Sequence, residues 1–172
     1  MKVHSSHTYP APPDRVFHVM TEPEVLLRKY ESLGHRDVEI VDHVVARGEV
    51  TVRSHRSVPM TVPGFARRFL SPMNTVEQRD HWNAPGPDGA RTGTWQVTAK
   101  GVPVEVGGTL RLTPDGHGAT VVEIDGEVRS SVPLVGGKLA DLVGGDVRRT
   151  LEAEEAYNSL VLGRRRSTAT TR

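Results

Sequence analysis

A long run of alternating apolar and polar residues, from Val38 to Val132, limits the possible folds of this chain more than any other feature. The alternation runs through VEIVDHVVA, EVTVRSHRSV, TVEQRDHWN, TGTWQVTAK, VPVEVGGTLRLT and ATVVEIDGEVRSSV. Turn sequences separate most of these segments, including Arg47-Gly48, APGPDGAR, KG and PDGHG. A period of two predicts half-buried strands, and short turns between consecutive strands favour antiparallel pairing. With residues 2–9 as a first strand, the pattern predicts a seven-stranded antiparallel sheet.

Three helical segments accompany the predicted strands. Pro12 and Pro13 open PDRVFHVMT, and EVLLRKYESL follows and ends at Gly34, so two short helices come after the first strand. Residues 132–163 have the periodicity of one long helix, which must cover the apolar face of the sheet. We therefore expect an α+β fold with a single domain over residues 1–163. The basic, Ser/Thr-rich end, residues 164–172, is predicted to be a disordered tail.

The composition excludes several classes of protein. The 22 basic and 21 acidic residues nearly cancel, so we expect no nucleic-acid partner. The chain has no cysteine, which excludes disulfides and thiolate chemistry. No apolar run is long enough for a membrane span, and we expect a soluble, cytoplasmic protein. The eight histidines are scattered, and we expect neither a metal nor a cofactor.

The inner face of the predicted sheet carries glycines and tryptophans at neighbouring positions. Counting back from the turns places Trp95 opposite Gly108 and Gly108 opposite Gly126, and it makes Trp82 a neighbour of Trp95. One hypothesis is a ligand pocket floored by glycine and walled by indole rings. The alternative is that Trp95 lies over both glycines and fills the space.

Polar residues interrupt the predicted inner face of the third and fourth strands. Gln78 and Asp80 alternate with Val76 and Trp82, and Arg56 has the inward parity on the strand before. A buried carboxylate needs a partner, so we expect Arg56 to pair with Asp80 or to meet the anionic end of a ligand. The alternative is that a bulge or an edge position turns these groups to solvent.

The segment VPMTVPGFARRFLSPM separates these two strands and is too long for a tight turn. Phe65 and Phe69 are four residues apart, which predicts a short amphipathic helix. Such a helix could be a lid over a pocket or a plug at the edge of the sheet.

The long helix carries four glycines in its first half, although an interior glycine costs a helix about 1 kcal/mol. Gly136 falls on the apolar stripe and Gly144 at its margin, where we expect them to remove bulk over the pocket. The alternative is that Gly136-Gly137 form a bend and the helix begins near Lys138. The expected pocket-facing positions of this helix are Gly136, Leu139, Val143, Asp146 and Val147. Glu154 also falls on the stripe and is expected to lie past the edge of the sheet.

The order of elements resembles the helix-grip fold of the START and polyketide cyclase-like (SRPBCC) superfamily. More specifically, the chain is similar to an uncharacterised actinobacterial family of that superfamily, over roughly residues 2–160. The resemblance rests on YPAPPDRVFHVMTEP, VPGFARRFL, GVPVEVGGTLRLTPDG and VPLVGGK. It implies a sheet curved around the long helix and a pocket between them, because members of the superfamily mostly bind lipids or other hydrophobic small molecules. It implies no particular reaction.

The leading hypothesis is therefore a non-catalytic protein that binds or carries a hydrophobic small molecule or lipid. Under this hypothesis we expect no catalytic residues, and we expect the protein to be a monomer or a homodimer. The first alternative is a polyketide cyclase/dehydratase-like enzyme that uses Asp80, Arg56 and Asp146. The second is a membrane-surface or protein-interaction module, in which Phe65, Phe69 and the neighbouring arginines make peripheral contact with anionic lipid.

Overall fold

The computed structural model describes residues 1–164 and contains seven strands and three α-helices. Strand β1 covers Lys2–Tyr9, and helices α1 (Pro13–Thr21) and α2 (Pro23–Ser32) follow it. The other strands are β2 (Arg36–Ala46), β3 (Glu49–Pro59), β4 (Met73–Trp82), β5 (Arg91–Ala99), β6 (Glu105–Pro114) and β7 (Thr120–Arg129). Helix α3 covers Gly136–Gly163. Beyond Arg164, the predicted disordered tail lies outside the described residues.

All seven strands form one antiparallel sheet in the order β1-β7-β6-β5-β4-β3-β2. Strands β2 to β7 form a meander, and β1 pairs with β7 at the edge of the sheet. The turn at Arg47 and Gly48 joins β2 to β3 with both residues at positive φ, 54° and 80°, as a two-residue hairpin requires. The sheet curves around α3, so the predicted helix-grip fold is confirmed.

The apolar face of the sheet packs against the helices and forms the core. Leu112 and Val128 of the sheet and Leu139 of α3 are fully buried. Alternate positions along the other strands supply the inward side chains, which agrees with the period of two in the sequence, whereas the edge strand β2 has no buried residue and exposes Val44 and Val45. No helix within residues 1–164 has the length and apolar character needed to cross a membrane.

Two of the four glycines in the first half of α3 are sites of close approach and do not clear space over a pocket. The helix begins at Gly136, so the predicted bend before Lys138 is wrong. A Cβ on Gly136 would lie 2.8 Å from the carbonyl oxygen of Ser130, and a Cβ on Gly144 would collide with the side chain of Met1. The expectation that these glycines remove bulk over the pocket was therefore also wrong.

The loop of residues 60–72 does not form the predicted amphipathic helix. It contains a single 3₁₀ turn at Gly64–Ala66. Ala66 and Leu70 occupy the inward positions and are buried, whereas Phe65 is 42% exposed and Phe69 is only partly buried. The apolar pair that faces the core is thus shifted by one residue from the pair predicted by the spacing of the two phenylalanines.

Candidate functional site

A cavity of about 160 Å³ lies between the sheet and the helices. Its apolar walls come from the inner face of the sheet and from α1, α2, α3 and neighbouring loops. They include Met20, Leu26, Val58, Met60, Leu70, Val76, Trp82, Trp95, Val97, Ala99, Val102, Val104, Val106, Leu110, Ile124, Val143, Val147 and Leu151. Polar side chains gather toward α2, β3 and β4: Lys29, His35, Arg56, Gln78, Asp80 and Glu154. We call these six residues the polar end of the cavity.

Trp95 covers the glycines of the inner face. The predicted pairs Trp95–Gly108 and Gly108–Gly126 are both present in the sheet. The indole crosses this row, because a Cβ on Gly126 would lie 2.5 Å from its Cζ2 atom. The indole Nε1 donates a hydrogen bond of 3.0 Å to the carbonyl oxygen of Asp125. Gly126 therefore accommodates the Trp95 ring, whereas a Cβ on Gly108 would collide with the backbone carbonyl of Asp125. Neither glycine lines the cavity, so the hypothesis of a glycine floor is wrong.

Trp82 lies two residues away from its predicted place in this row. It pairs with Gly93, and Asp80 is the residue opposite Trp95. A Cβ on residue 93 would collide with the backbone of His81, so only glycine fits there. Trp82 is buried, meets Phe17 edge to face at a centroid distance of 5.6 Å, and lines the cavity at a different level from the one predicted.

The structure divides the predicted site residues into two groups. Those that line the cavity are Arg56, Gln78, Asp80, Trp82, Trp95, Val143, Asp146 and Val147. Those that do not are Phe65, Phe69, Gly108, Gly126, Gly136 and Leu139. Of the second group, Phe65 and Phe69 lie on the 60–72 loop, Gly108 and Gly126 are half-buried positions of the sheet, and Gly136 and Leu139 are buried in α3.

Arg56 is the central residue of the polar end. It is only 4% exposed, and its three hydrogen bonds go to neutral acceptors. Nε donates to Nδ1 of His35 at 3.2 Å, Nη1 donates to Ser54 at 2.9 Å, and Nη2 donates to Oε1 of Gln78 at 2.5 Å. The Tyr30 ring covers one face of the guanidinium, with its centroid 4.0 Å from Cζ.

Gln78 separates Arg56 from Asp80. Its amide oxygen accepts from Arg56, and its amide nitrogen donates to both carboxyl oxygens of Asp80, at 2.9 and 3.1 Å. Asp80 lies inside the fold and borders the cavity. Burial raises the pKa of Asp80 to about 6, and the charge of Glu154 acts in the same direction, against the amide of Gln78 and the charges of Arg56 and Lys29.

Lys29 and Glu154 complete the polar end with an ion pair between helices α2 and α3. Nζ of Lys29 lies 2.7 Å from Oε2 of Glu154, and the side chain of Lys29 is only 4% exposed. His35 stacks on Tyr30, and burial lowers the pKa of His35 to about 4, with the charge of Arg56 lowering it further. His35 is therefore neutral at pH 7 and can accept the hydrogen bond from Arg56.

Asp146 lines the cavity from α3 but is not bonded to the other acids or to Arg56. It accepts a hydrogen bond of 3.2 Å from Arg149 on its own helix. Burial raises the pKa of Asp146, while the bond from Arg149 opposes that change.

Lys29, Tyr30 and His35 were not among the predicted site residues, and Glu154 was predicted to lie outside the site. The signal for Lys29 and Tyr30 was present, because Leu26 lies three and four residues before them and fixes the buried face of α2. Glu154 lies on the apolar stripe of α3 and was expected past the edge of the sheet; it lines the cavity and pairs with Lys29 of α2. Nothing in the sequence pattern places His35 inside.

Residues 4–159 match the family described as "Protein of unknown function (DUF2505)". The chain belongs to this family. No curated protein sequence matches the chain.

Solved structures with the same fold include the Zhui aromatase/cyclase from Streptomyces sp. R1128, with a TM-score of 0.61, 18% identity, and coverage of 100% of this chain and 99% of that one. The human StarD13 (DLC2) lipid transfer and protein localization domain has a TM-score of 0.59 and 15% identity, with 95% and 77% covered. Norcoclaurine synthase from Thalictrum flavum has a TM-score of 0.57 and 18% identity, with 95% and 87% covered. These likenesses show that the chain has the same fold as these three proteins.

Proposed function

We propose that this protein binds or carries a hydrophobic small molecule in the cavity between the sheet and α3, without catalysing a reaction. The observation that carries the proposal is the cavity itself, which lies within the hydrophobic core and has a mainly apolar wall outside its polar end. The volume of about 160 Å³ is below the 300–1,000 Å³ of pockets for drug-sized ligands. It is close to the roughly 150 Å³ that holds a benzene-sized molecule. A compact ligand of about one ring fits better than a long lipid.

The fold of the superfamily supports the same proposal. One structural neighbour is described as an aromatase/cyclase and another as a lipid transfer domain. Both descriptions imply that a small organic molecule is held by those proteins, and we extend that property, not their activities, to this chain.

Native mass spectrometry of the purified protein, followed by solvent extraction, tests the proposal. We expect a bound molecule, or uptake of benzyl alcohol or indole as small neutral probes. The matched variants are Ala99→Leu, which fills the cavity, and Thr98→Leu, which adds the same side chain on the outer face of β5. Loss of binding only in Ala99→Leu supports the proposal. Binding that is equal in both variants, or absent from the wild-type protein, overturns it.

An enzyme acting on a ring-containing substrate is the first alternative function. Arg56, Gln78 and Asp80 form a connected polar chain that borders the cavity, so the requirement that Arg56 and Asp80 face inward is met. The proposed third member, Asp146, is bonded to Arg149 instead. Turnover of a bound ring-containing ketone that is lost in Asp80→Asn would favour this alternative over simple binding.

Contact with a membrane surface is the second alternative. Strands β3, β5 and β7 run in one direction, so the loops that follow them lie at the same end of the sheet. Two of these loops expose apolar side chains, Phe65 and Leu134, and Leu134 is fully exposed at a φ of 66°. The exposed residues Arg67, Arg68 and Lys138 lie nearby in sequence. Apolar tips among basic residues suit an anionic lipid surface.

A further inference from the structure

We propose that the occupant of the cavity is a small monocarboxylate, with its carboxylate bound by Arg56 and a single-ring apolar body lying between the two tryptophans. This inference rests on the proposed function and adds the chemical class of the ligand. It is carried by the arrangement of charges at the polar end of the cavity.

Arg56 is a buried cation without a direct anionic partner. Its three acceptors, His35, Ser54 and Gln78, are all neutral, and the ion pairs among residues 1–164 do not include it. Lys29, the other buried cation, lies 2.7 Å from the carboxylate of Glu154. A buried charge that is bonded only to neutral groups retains a strong attraction for a counter-ion. The guanidinium is therefore the group at this end that an anionic ligand would compensate.

The hydrogen-bonding capacity of Arg56 fits a carboxylate. A guanidinium has five N–H donors, and the three bonds described above leave one N–H on each terminal nitrogen. A carboxylate has one oxygen for each of these two N–H groups, whereas an alcohol or ketone offers a single oxygen. The Tyr30 ring occupies one face of the guanidinium and holds its plane in place.

Asp80, the acid at the end of this chain of hydrogen bonds, can become protonated when an anionic ligand binds. Asp80 reaches Arg56 only through Gln78, and burial already favours its neutral form. An incoming carboxylate disfavours the charge of Asp80 further, so binding is accompanied by uptake of a proton by Asp80. The charged and titratable groups around it are the ion pair of Lys29 and Glu154, the guanidinium of Arg56, Tyr30, Asp146 and His35, and the lowered pKa of His35 keeps it neutral at pH 7.

The remaining walls limit the rest of the ligand. Beyond the polar end the lining is mainly aliphatic, with Asn74, Asp146 and Thr150 as its polar members, and Trp82 and Trp95 also line the cavity. A second carboxylate or a sugar would leave polar groups unpaired there. The volume of about 160 Å³ leaves room for one ring.

Isothermal titration calorimetry with benzoate, phenylacetate and the neutral benzyl alcohol tests this inference. We expect both acids to bind more tightly than the alcohol at pH 6. We also expect their affinity to fall by up to about tenfold for each pH unit above 6.5, because one proton is taken up. Arg56→Met should weaken the acids by about 10- to 100-fold and leave the alcohol unchanged. Arg53→Met removes an arginine from the outward face of the same strand, where it pairs with Asp42, and should change neither.

Asp80→Asn provides a second, independent test, because asparagine resembles the protonated acid and can still accept from Gln78. This variant should bind benzoate more tightly than the wild-type protein at pH 8 and lose the pH dependence. Binding of the alcohol but not of the acids would overturn the inference and leave the proposed function standing. Binding of none of the three probes would count against both. Affinity for benzoate that is unchanged in Arg56→Met, or that falls in Asp80→Asn, would also overturn it.

Discussion

Nζ of Lys29 and Oε2 of Glu154 lie 2.7 Å apart and connect helix α2 to helix α3 at the polar end of the cavity. Removing one member of such a pair leaves the other charged group largely buried and without its partner. We expect Lys29→Met to lower the free energy of unfolding by about 3 kcal/mol, and the double variant Lys29→Met/Glu154→Gln to recover most of that loss. Urea denaturation at pH 7 measures both. The control is Arg28→Met, which breaks an exposed pair with Glu24 and should cost less than about 0.5 kcal/mol. Equal stability of the single and double variants would refute the pairing.

Asp80 should make the stability of the protein depend on pH in the direction opposite to that of an ordinary salt-bridged acid. Its folded-state pKa of about 6 lies above the unfolded value of about 3.9, so the folded state binds more protons between these values. The cost of ionising Asp80 is absent below pH 4 and fully present above pH 6. We therefore expect Asp80→Asn to stabilise the protein by about 2 kcal/mol at pH 7.5 and to have no effect at pH 3.5. Denaturation curves at both pH values check this, and a gain that persists at pH 3.5 would contradict it.

Two glycine-to-alanine substitutions should have opposite signs. A Cβ on Gly126 meets the Trp95 ring at 2.5 Å, so Gly126→Ala should displace the indole and cost about 1–3 kcal/mol. Gly137 has open space around its Cβ position in the first turn of α3, and Gly137→Ala should stabilise the helix by up to about 1 kcal/mol. Thermal unfolding followed by circular dichroism distinguishes them. A neutral Gly126→Ala would show that Trp95 can lie elsewhere without cost.

A substitution of Leu134 should affect the stability of the protein and its binding to membranes in different directions. Leucine is strained at a φ of 66°, where asparagine is much better tolerated. Leu134→Asn should therefore match or exceed the wild-type melting temperature. If this end of the sheet inserts into lipid, the same variant should reduce co-sedimentation with vesicles containing phosphatidylglycerol. Leu160→Asn is the control, because Leu160 is also exposed but lies near the other end of α3. An equal loss in both variants would point to general surface hydrophobicity.

The fold could be predicted from the sequence because local signals agreed with one another. The alternation of residues, the Arg47-Gly48 turn and the proline-started helices each act over a few residues, and they specify the order of elements independently of distant contacts. The register of β5, β6 and β7 also followed from short turns. The register of β4 against β5 did not, because the loop between Trp82 and Arg91 is long enough to absorb a shift of two residues.

The site was harder to predict because it depends on contacts between elements far apart in sequence. Parity placed Arg56, Gln78 and Asp80 inside, but the role of Gln78 as the connection between the two charges depends on side-chain conformations. The pairing of Lys29 with Glu154 joins residues 125 positions apart, and no periodic pattern encodes it. Whether a glycine leaves an open space or accommodates a nearby side chain likewise depends on residues that are distant in sequence. Trp95 over Gly126 and Met1 beside Gly144 are two examples.

The placement of the two indoles has a practical consequence. Trp82 and Trp95 are the only tryptophans of the chain, and both border the cavity. All of the protein's intrinsic indole emission therefore comes from residues beside the candidate ligand. The chain carries its own optical reporter, so a compound that enters the cavity can be detected at micromolar protein concentration without a label, even before its chemical identity has been determined.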